Sequence, residues 1–296
     1  MKVFVTGANG FVGSAVVQAL LRASHEVVGL ARSDAAAKSL TAAGAKVHRG
    51  DLQDLESLRI GAAESDGVIH TGFIHDFSKF KENCELDRKV VDTLGSALAG
   101  SDRPLIVTSA IGVLPAGQIV TEDTRPLSPS PNPRAATEEA ARALMDRGVC
   151  VSIVRLSPST HGEGDHGFVP ILIKIAREKN ASVYIGEGKN TWPAVHRLDA
   201  AQVFKLALEK RTRGAYYHAV AEEGVEFRKI AEVIGQRLGV PVVNKPLEEA
   251  AVHFTWFAHF ASMNVKASGK QTQDKLGWQW SQPELIADLQ LNYFKV

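Results

Sequence analysis

Short apolar runs alternate with longer stretches of helical periodicity over the first half of the chain. Runs at 3–5, 26–30, 45–48, 67–70, 105–108 and 150–155 are rich in Val, Ile and Leu and predict strands. Between them, 11–22 sets Val12, Val16, Val17, Ala19 and Leu20 near helical spacing, and 35–43, 54–62, 80–98 and 134–147 also predict helices. Ser33-Asp34 supplies a cap for the Ala-rich helix at 35–43, and Gly148 ends the helix at 134–147. Strict alternation of strand and helix predicts right-handed crossovers and a parallel sheet. Strands that are continuously apolar, rather than alternating, imply helices on both sheet faces. The fold class is therefore α/β, a doubly wound parallel sheet.

After Arg155 the texture changes. Residues 157–167 are rich in Ser, Pro, Gly and His and predict a loop. Helices are predicted at 169–179, 200–210, 227–238 and 247–260, with short strands at 182–185 and 215–219. This divides the chain into a nucleotide-binding unit, 1–156, and a smaller mixed α/β substrate-binding part, 157–296, on the C-terminal edges of the sheet, with interleaving of the two left open. The Pro-rich segment 112–133 is long for a loop in a compact domain, which marks it as functional. Asp199 is placed to cap the helix at 200–210, and Trp192, Trp256, Phe257, Phe260 and Phe168 offer an apolar substrate pocket.

Composition narrows the partners. Of 296 residues, 45% are hydrophobic and 23% charged, ordinary for a globular protein. Lys and Arg number 34 against 33 Asp and Glu, so no basic excess exists to hold a nucleic-acid backbone. Only two cysteines occur, Cys84 and Cys150, and the start Met1-Lys2 runs straight into a strand. A reducing, cytoplasmic setting without a signal segment is expected. No run of about 18 apolar residues is present, so no membrane span is expected.

The chemistry starts at Thr6-Gly7-Ala8-Asn9-Gly10-Phe11-Val12-Gly13, between the first strand and the first helix. Gly7 allows a tight turn, Gly10 lets backbone approach a pyrophosphate, and Gly13 lets the helix pack closely. Unpaired N–H groups at the helix start then face the anion. With the full strand–helix series behind it, this Thr-Gly-x-x-Gly-x-x-Gly turn resembles that of the extended short-chain dehydrogenase/reductase superfamily, of the NAD-dependent epimerase/dehydratase kind. Other segments agree: Gly50-Asp51-Leu52 after the third strand, Val68-Ile69-His70-Thr71-Gly72 on the fourth, Ile106-Val107-Thr108-Ser109 on the fifth, Arg155-Leu156-Ser157-Pro158-Ser159-Thr160-His161-Gly162, and Ala194-Val195-His196-Arg197-Leu198-Asp199.

The resemblance implies a Rossmann-type sheet. It also implies a nicotinamide nucleotide held by Gly7, Asn9, Gly10, Phe11, Val12, Gly13, Arg32, Ser33, Asp51, Leu52, Thr71, Gly72, Phe73, Arg134, Pro158, Ser159 and Thr160. Ala31 stands where an NAD-preferring protein carries an acid, and the Arg32 guanidinium suits a 2′-phosphate, so NADP(H) is the expected cofactor. The family's Tyr-x-x-x-Lys pair falls at Ser130 and Arg134, and none of the four tyrosines lies near it. Arg134 keeps the cation without shuttling protons. Prolines 131 and 133 are expected to delay the helix start. Thr108 and Ser109 remain as hydroxyls for the substrate oxygen, and His161, titrating near neutrality in the place of a Tyr, is the candidate proton donor. His70 should lie near the cofactor. The string His161-x-Glu163-x-Asp165-His166 lacks metal-site spacing, so no metal ligand is assigned. The resulting expectation is an atypical NADP(H)-dependent oxidoreductase reducing a carbonyl of a small molecule. The alternatives are a non-catalytic NADP(H)-binding redox sensor, or an epimerase or dehydratase acting on a sugar-like substrate. By family analogy, a homodimer would form through the helices at 80–98 and 134–147, whose Ala-rich faces allow it.

Overall fold

The structure, a computed structural model, describes residues 1–130 and 132–294. The chain opens with β1 (Lys2–Thr6), α1 (Phe11–Arg22), β2 (Glu26–Ala31), α2 (Asp34–Ala42), β3 (Lys46–Arg49), α3 (Leu55–Ala63), β4 (Gly67–His70) and α4 (Phe80–Ser96). Next come β5 (Leu105–Ala110), the short β6 (Ile119–Val120), α5 (Ala136–Asp146), β7 (Val151–Leu156), β8 (Ser159–His161) and α6 (Phe168–Lys179). β9 (Ser182–Ile185), β10 (Thr191–His196), α7 (Arg197–Lys210), β11 (Tyr216–Ala219), β12 (Glu222–Glu226), α8 (Phe227–Leu238) and β13 (Val242–Lys245) follow. The last elements are α9 (Leu247–Phe254), α10 (Ala258–Ala261), β14 (Lys266–Ala267), α11 (Lys270–Leu276) and α12 (Leu285–Asn292).

Seven strands form one parallel sheet in the order β11-β7-β5-β4-β1-β2-β3. The order reverses between β1 and β4, which opens a crevice beyond their C-terminal ends. One sheet face packs Val3, Val5 and Ile69 against Val16, Leu20, Phe204 and Trp278. The other packs Phe4, Val68 and Leu105 against Leu58, Val90, Leu94 and Leu144. Both faces are covered by buried apolar side chains, as the continuous apolar strands require.

β11 and α7 lie after residue 156 in sequence yet build this first layer. β11 pairs with β7, and the α7 residues Val203, Phe204 and Ala207 join the core beneath β1. The remaining C-terminal residues gather their own core around Trp192, Phe227, Phe254 and Phe257. Pro193 hides β10 in the sequence, because a proline donates nothing to a ladder. It sits at the register shift between Trp192 and Ala194, where β10 tolerates it. The expected loop at 157–167 contains β8, which pairs in parallel with β10. The expected single helix at 247–260 is broken at Thr255. Asp199 does not cap α7. The cap is His196, whose Nδ1 accepts from the Leu198 N–H at 3.3 Å, while Asp199 accepts from the backbone of Ser281 and Gln282.

Most of the alanines expected to meet a second copy are used internally. Ala136, Ala140 and Ala141 of α5 are buried in the protein itself. The outer face of α4 and α5 is charged and paired: Arg88 bridges Glu85 and Glu139, and Arg147 reaches Asp92.

Candidate active site

The turn between β1 and α1 is built by its glycines. Gly7 has φ of +65°, and a Cβ there would lie 2.7 Å from the Gly72 backbone. A Cβ on Gly13 would lie 2.0 Å from the Gly7 carbonyl and 2.7 Å from Thr71 Oγ1. These two positions therefore fix how β1, α1 and the end of β4 pack. Gly10 is different. It is exposed, and its Cβ would meet only the Gly7 carbonyl, at 3.1 Å. It is also the N-cap of α1, with no side chain capping the helix. An open helix start with a bare backbone approach is what an anion requires. Asn9 beside it is exposed, and Phe11 and Val12 are half-buried. The Phe11 ring carries the Arg197 guanidinium 5.2 Å from its centroid.

At the end of β2, Arg32 and Ser33 are both exposed. Ser33 Oγ accepts from the Ala36 N–H at 3.2 Å, so the predicted cap of α2 is present. Arg32 makes no salt bridge among the described residues, whereas its neighbour Asp34 is held by Arg49 at 2.5 Å. Asp51 turns the chain by accepting from the Gln53 and Asp54 N–H groups, and Leu52 approaches Gly72.

Where β4 and β5 end, a buried polar network crosses the sheet. Thr6 Oγ1 meets His70 Nδ1 at 2.6 Å, and His70 Nε2 meets Asp87 Oδ1 at 2.9 Å. Asp87 Oδ2 takes Arg134 Nη1 at 2.9 Å and also the Thr137 hydroxyl. Arg134 Nη2 donates to the Thr108 carbonyl at 3.1 Å, and the Thr108 hydroxyl donates to the His70 carbonyl at 2.6 Å. Burial alone would raise the Asp87 pKa, but Arg134 and His70 outweigh it and hold the carboxyl at about 2. Arg134 sits on a 3-10 turn, Pro133–Ala135, capped by Asn132 ahead of α5, so the helix starts late. Pro131 lies outside the described residues. The Arg134 guanidinium lies 4.4 Å over the Phe73 ring. A guanidinium has five N–H donors, and the protein occupies those facing Asp87, Thr137 and Thr108, leaving others for a ligand oxygen.

Two expected catalytic groups are elsewhere. Ser109 is only 1% exposed and gives its proton to Glu138 at 2.6 Å, so it does not face the crevice. Glu138 is buried because Arg155 clamps both its oxygens, at 2.9 Å each. His218 completes this group, with Nε2 3.2 Å from Arg155, and burial together with Arg155 lowers its pKa to about 3. His161 is also 1% exposed. Its Nδ1 bonds to Asp288 of α12 at 2.7 Å and its ring abuts His196, while its buried Nε2 has no partner among the described residues. Next to it, Pro158 and Thr160 are half-buried and Ser159 is buried. Thr108 remains, half-buried, as a group that orients Arg134.

One further histidine, His75, shares the Phe73 ring with Arg134, and no motif in the sequence singles it out. His75 follows β4 by five residues, on the connection to α4. It is open to solvent on one side, with its ring 5.2 Å from Phe73. Desolvation, then the charges of Arg134 and His166, lower its pKa, against a smaller opposite pull from Asp87. The available signal was its position just past the C-terminal end of a central parallel strand, where ligands bind.

Among the described residues, no group of three or more His, Cys, Asp or Glu side chains is arranged to hold a metal, and no helix is long and apolar enough to cross a membrane.

Comparison with known proteins agrees with this geometry. The uncharacterized Schizosaccharomyces pombe protein C2A9.02 is 49% identical, over 98% of both chains. A 2'-dehydrokanamycin reductase of Streptomyces kanamyceticus is 30% identical, covering 85% of this chain and 71% of its own. The solved UDP-glucose-4-epimerase of Stenotrophomonas maltophila, with bound NAD, superposes with a TM-score of 0.78 over 99% of this chain and 97% of its own, at 16% identity, a likeness of fold. The family pattern described as NAD dependent epimerase/dehydratase matches residues 3–220. The chain belongs to that family, within the extended short-chain dehydrogenase/reductase superfamily.

Proposed function

We propose that the protein is a cytoplasmic NADP(H)-dependent oxidoreductase that reduces a carbonyl group of a small molecule without the usual tyrosine. The observation that carries this reading is Arg134, a guanidinium anchored on buried Asp87 with donors to spare, beside the turn after β4. The resemblance to a 2'-dehydrokanamycin reductase supports reduction over epimerisation.

The nucleotide's fit is supported by the bare N-terminus of α1 and by Gly10, where a Cβ would occupy the approach. Gly7, Asn9, Gly10, Phe11, Val12 and Gly13 would hold the pyrophosphate, with Thr71, Gly72, Phe73, Pro158, Ser159 and Thr160 lining the crevice. Arg32 and Ser33 would take a 2′-phosphate, with Asp51 and Leu52 beside the adenine. Bound there, the nicotinamide supplies a hydride to the carbonyl carbon. Arg134 holds the carbonyl oxygen and stabilises its developing negative charge. His75, as imidazolium, gives that oxygen a proton and regains one from solvent, to which it is open. Thr108, Thr137 and Asp87 keep Arg134 in place.

The test is NADPH oxidation by the purified protein with a panel of carbonyl compounds. A charge-assisted phosphate contact is worth about 1.5–3 kcal/mol, so NADPH should bind roughly ten- to a hundredfold tighter than NADH. Ala31→Asp with Arg32→Ala should reverse that order. A proton donor works only when charged, so kcat should be full at low pH and fall as pH rises through the lowered pKa of His75, starting below about pH 6.5. His75→Gln should cut kcat about 10²–10⁴-fold with NADPH affinity unchanged. Full activity in that variant rejects His75 as donor. A native protein that binds NADPH but turns over no carbonyl supports the redox sensor instead.

A further inference from the structure

We infer that the carbonyl substrate is a planar aromatic aldehyde or ketone, seated on a wall of rings that runs from Arg134 to Trp256; this rests on the reductase reading above. Two distant segments build the wall. The connection from β4 gives Phe73 and Phe77, the start of α4 gives Phe80, and the segment after α9 gives Trp256 and Phe260. Their contacts are continuous. Arg134 covers Phe73, Phe73 meets Phe80 edge-on at 6.3 Å, and Phe80 stacks on Phe77 at 5.6 Å and 28°. Phe77 stacks in turn on Trp256 at 5.4 Å and 29°, with Phe260 edge-on to it at 5.5 Å.

These rings do not pack as a core does. Trp192, Phe227 and Phe257 are fully buried, whereas Trp256 is 54% exposed and Phe73, Phe77, Phe80 and Phe260 are only half-buried. Contiguous apolar surface left open marks a binding site. Thr255 places the outermost ring. Its φ of +53° with ψ of −125° is unfavourable for a β-branched residue, and the turn it makes breaks the helix and sets Trp256 on Phe77.

The wall also argues against a nucleotide sugar. A diphosphate needs cations. Arg134 is the cation that lies on these rings among the described residues. Four exposed cations of the C-terminal part pair with their own neighbours, Lys174 with Glu178, Lys189 with Glu187, Arg228 with Glu232 and Lys245 with Glu249, whereas Arg177, Lys179, Lys229 and Lys266 make no ion pair among the described residues and lie off this wall of rings. A planar ring gains stacking that an aliphatic group of the same size does not. Seated against Phe73 and Phe80 under the Phe77–Trp256 stack, it would turn its carbonyl toward Arg134.

The experiment separates recognition from turnover. Calorimetry compares benzamide with cyclohexanecarboxamide, which share the polar group, resist hydride reduction and differ in planarity. Each is titrated into the native protein with NADPH, and UDP-glucose is titrated alongside. Benzamide should bind about tenfold tighter than the saturated amide. Trp256→Leu and Phe77→Leu, which keep apolar bulk but remove the ring, should each erase most of that preference while NADPH affinity holds. Phe77→Leu also loses its stacks on Phe80 and Trp256 and should melt earlier, so the exposed Trp256 carries the test free of that effect. In the same variants KM for benzaldehyde should rise about tenfold, and KM for cyclohexanecarbaldehyde should stay within about twofold. Equal binding of the two amides, a preference that survives both substitutions, or tighter binding of UDP-glucose overturns the inference. Aromatic selectivity without turnover of any aldehyde keeps the ring site and rejects the reductase reading.

Discussion

A Cβ on Gly10 would ask the Gly7 carbonyl to give by a few tenths of an ångström and would otherwise point into open space. Gly10→Val should therefore leave the fold intact and block the pyrophosphate. Circular dichroism should be unchanged, and calorimetry should find no NADPH binding; retained affinity would disprove the assignment. Gly13 carries the opposite expectation. Its Cβ would sit 2.0 Å from the Gly7 carbonyl, inside any contact distance, so Gly13→Ala should destabilise the protein by roughly 1–3 kcal/mol or more, measured by urea unfolding. The glycine turn was legible in the sequence because backbone clearance is a local property. The destinations of the Ser109 and His161 hydrogen bonds were not. They depend on Glu138 and Asp288, which come near only when α5 and α12 dock.

At the scale of elements, Asp87 is the joint between α4, the end of β4 and the turn before α5. Its folded pKa is depressed to about 2, below that of an unfolded aspartate. The stability it contributes is present above about pH 4 and is lost as pH falls toward 2, at about 2 kcal/mol in scale. Asp87→Asn should flatten that part of the stability–pH curve. It should also destabilise the protein at pH 7, because the Arg134 charge loses its buried partner. Urea midpoints at pH 7, 4 and 2.5 check both. The alternating elements around this joint were readable from apolar spacing alone. Several C-terminal features were not, among them β10, which carries Pro193 at a register shift, and the break after α9, which depends on a backbone conformation at Thr255 that its β-branched side chain disfavours. Both follow from tertiary packing, which local pattern does not encode.

For the whole molecule, the outer face of α4 and α5 sets the expectation for assembly. Its side chains already satisfy one another through Arg88, Glu85, Glu139, Arg147 and Asp92. Ala136, Ala140 and Ala141 of α5 face inward, leaving Ala143 on its outer side. A stable interface needs an apolar centre, so this face is not expected to seat a second copy, which sedimentation of the 31.9 kDa chain at micromolar concentration checks. A dimer there would show that this charged face, or another, assembles. The sequence reading placed the division of the chain at residue 156 because the texture of the residues changes there. A composition shift marks where loops and turns begin; it leaves interleaving open without saying which elements return, and these are β11 and α7.

That late return has a consequence for synthesis. β7 is a buried strand, apolar but for Ser152 and Arg155, whose outer hydrogen-bonding edge is covered by β11, about sixty residues downstream. Until residue 219 has left the ribosome, a nascent chain presents β7 as an open, sticky edge. Arg155 on β7 also waits for His218 of β11 to complete its buried surroundings. A fragment ending near residue 156 should thus aggregate in the cell although it contains every glycine of the nucleotide turn. A fragment extended to residue 220 should recover solubility.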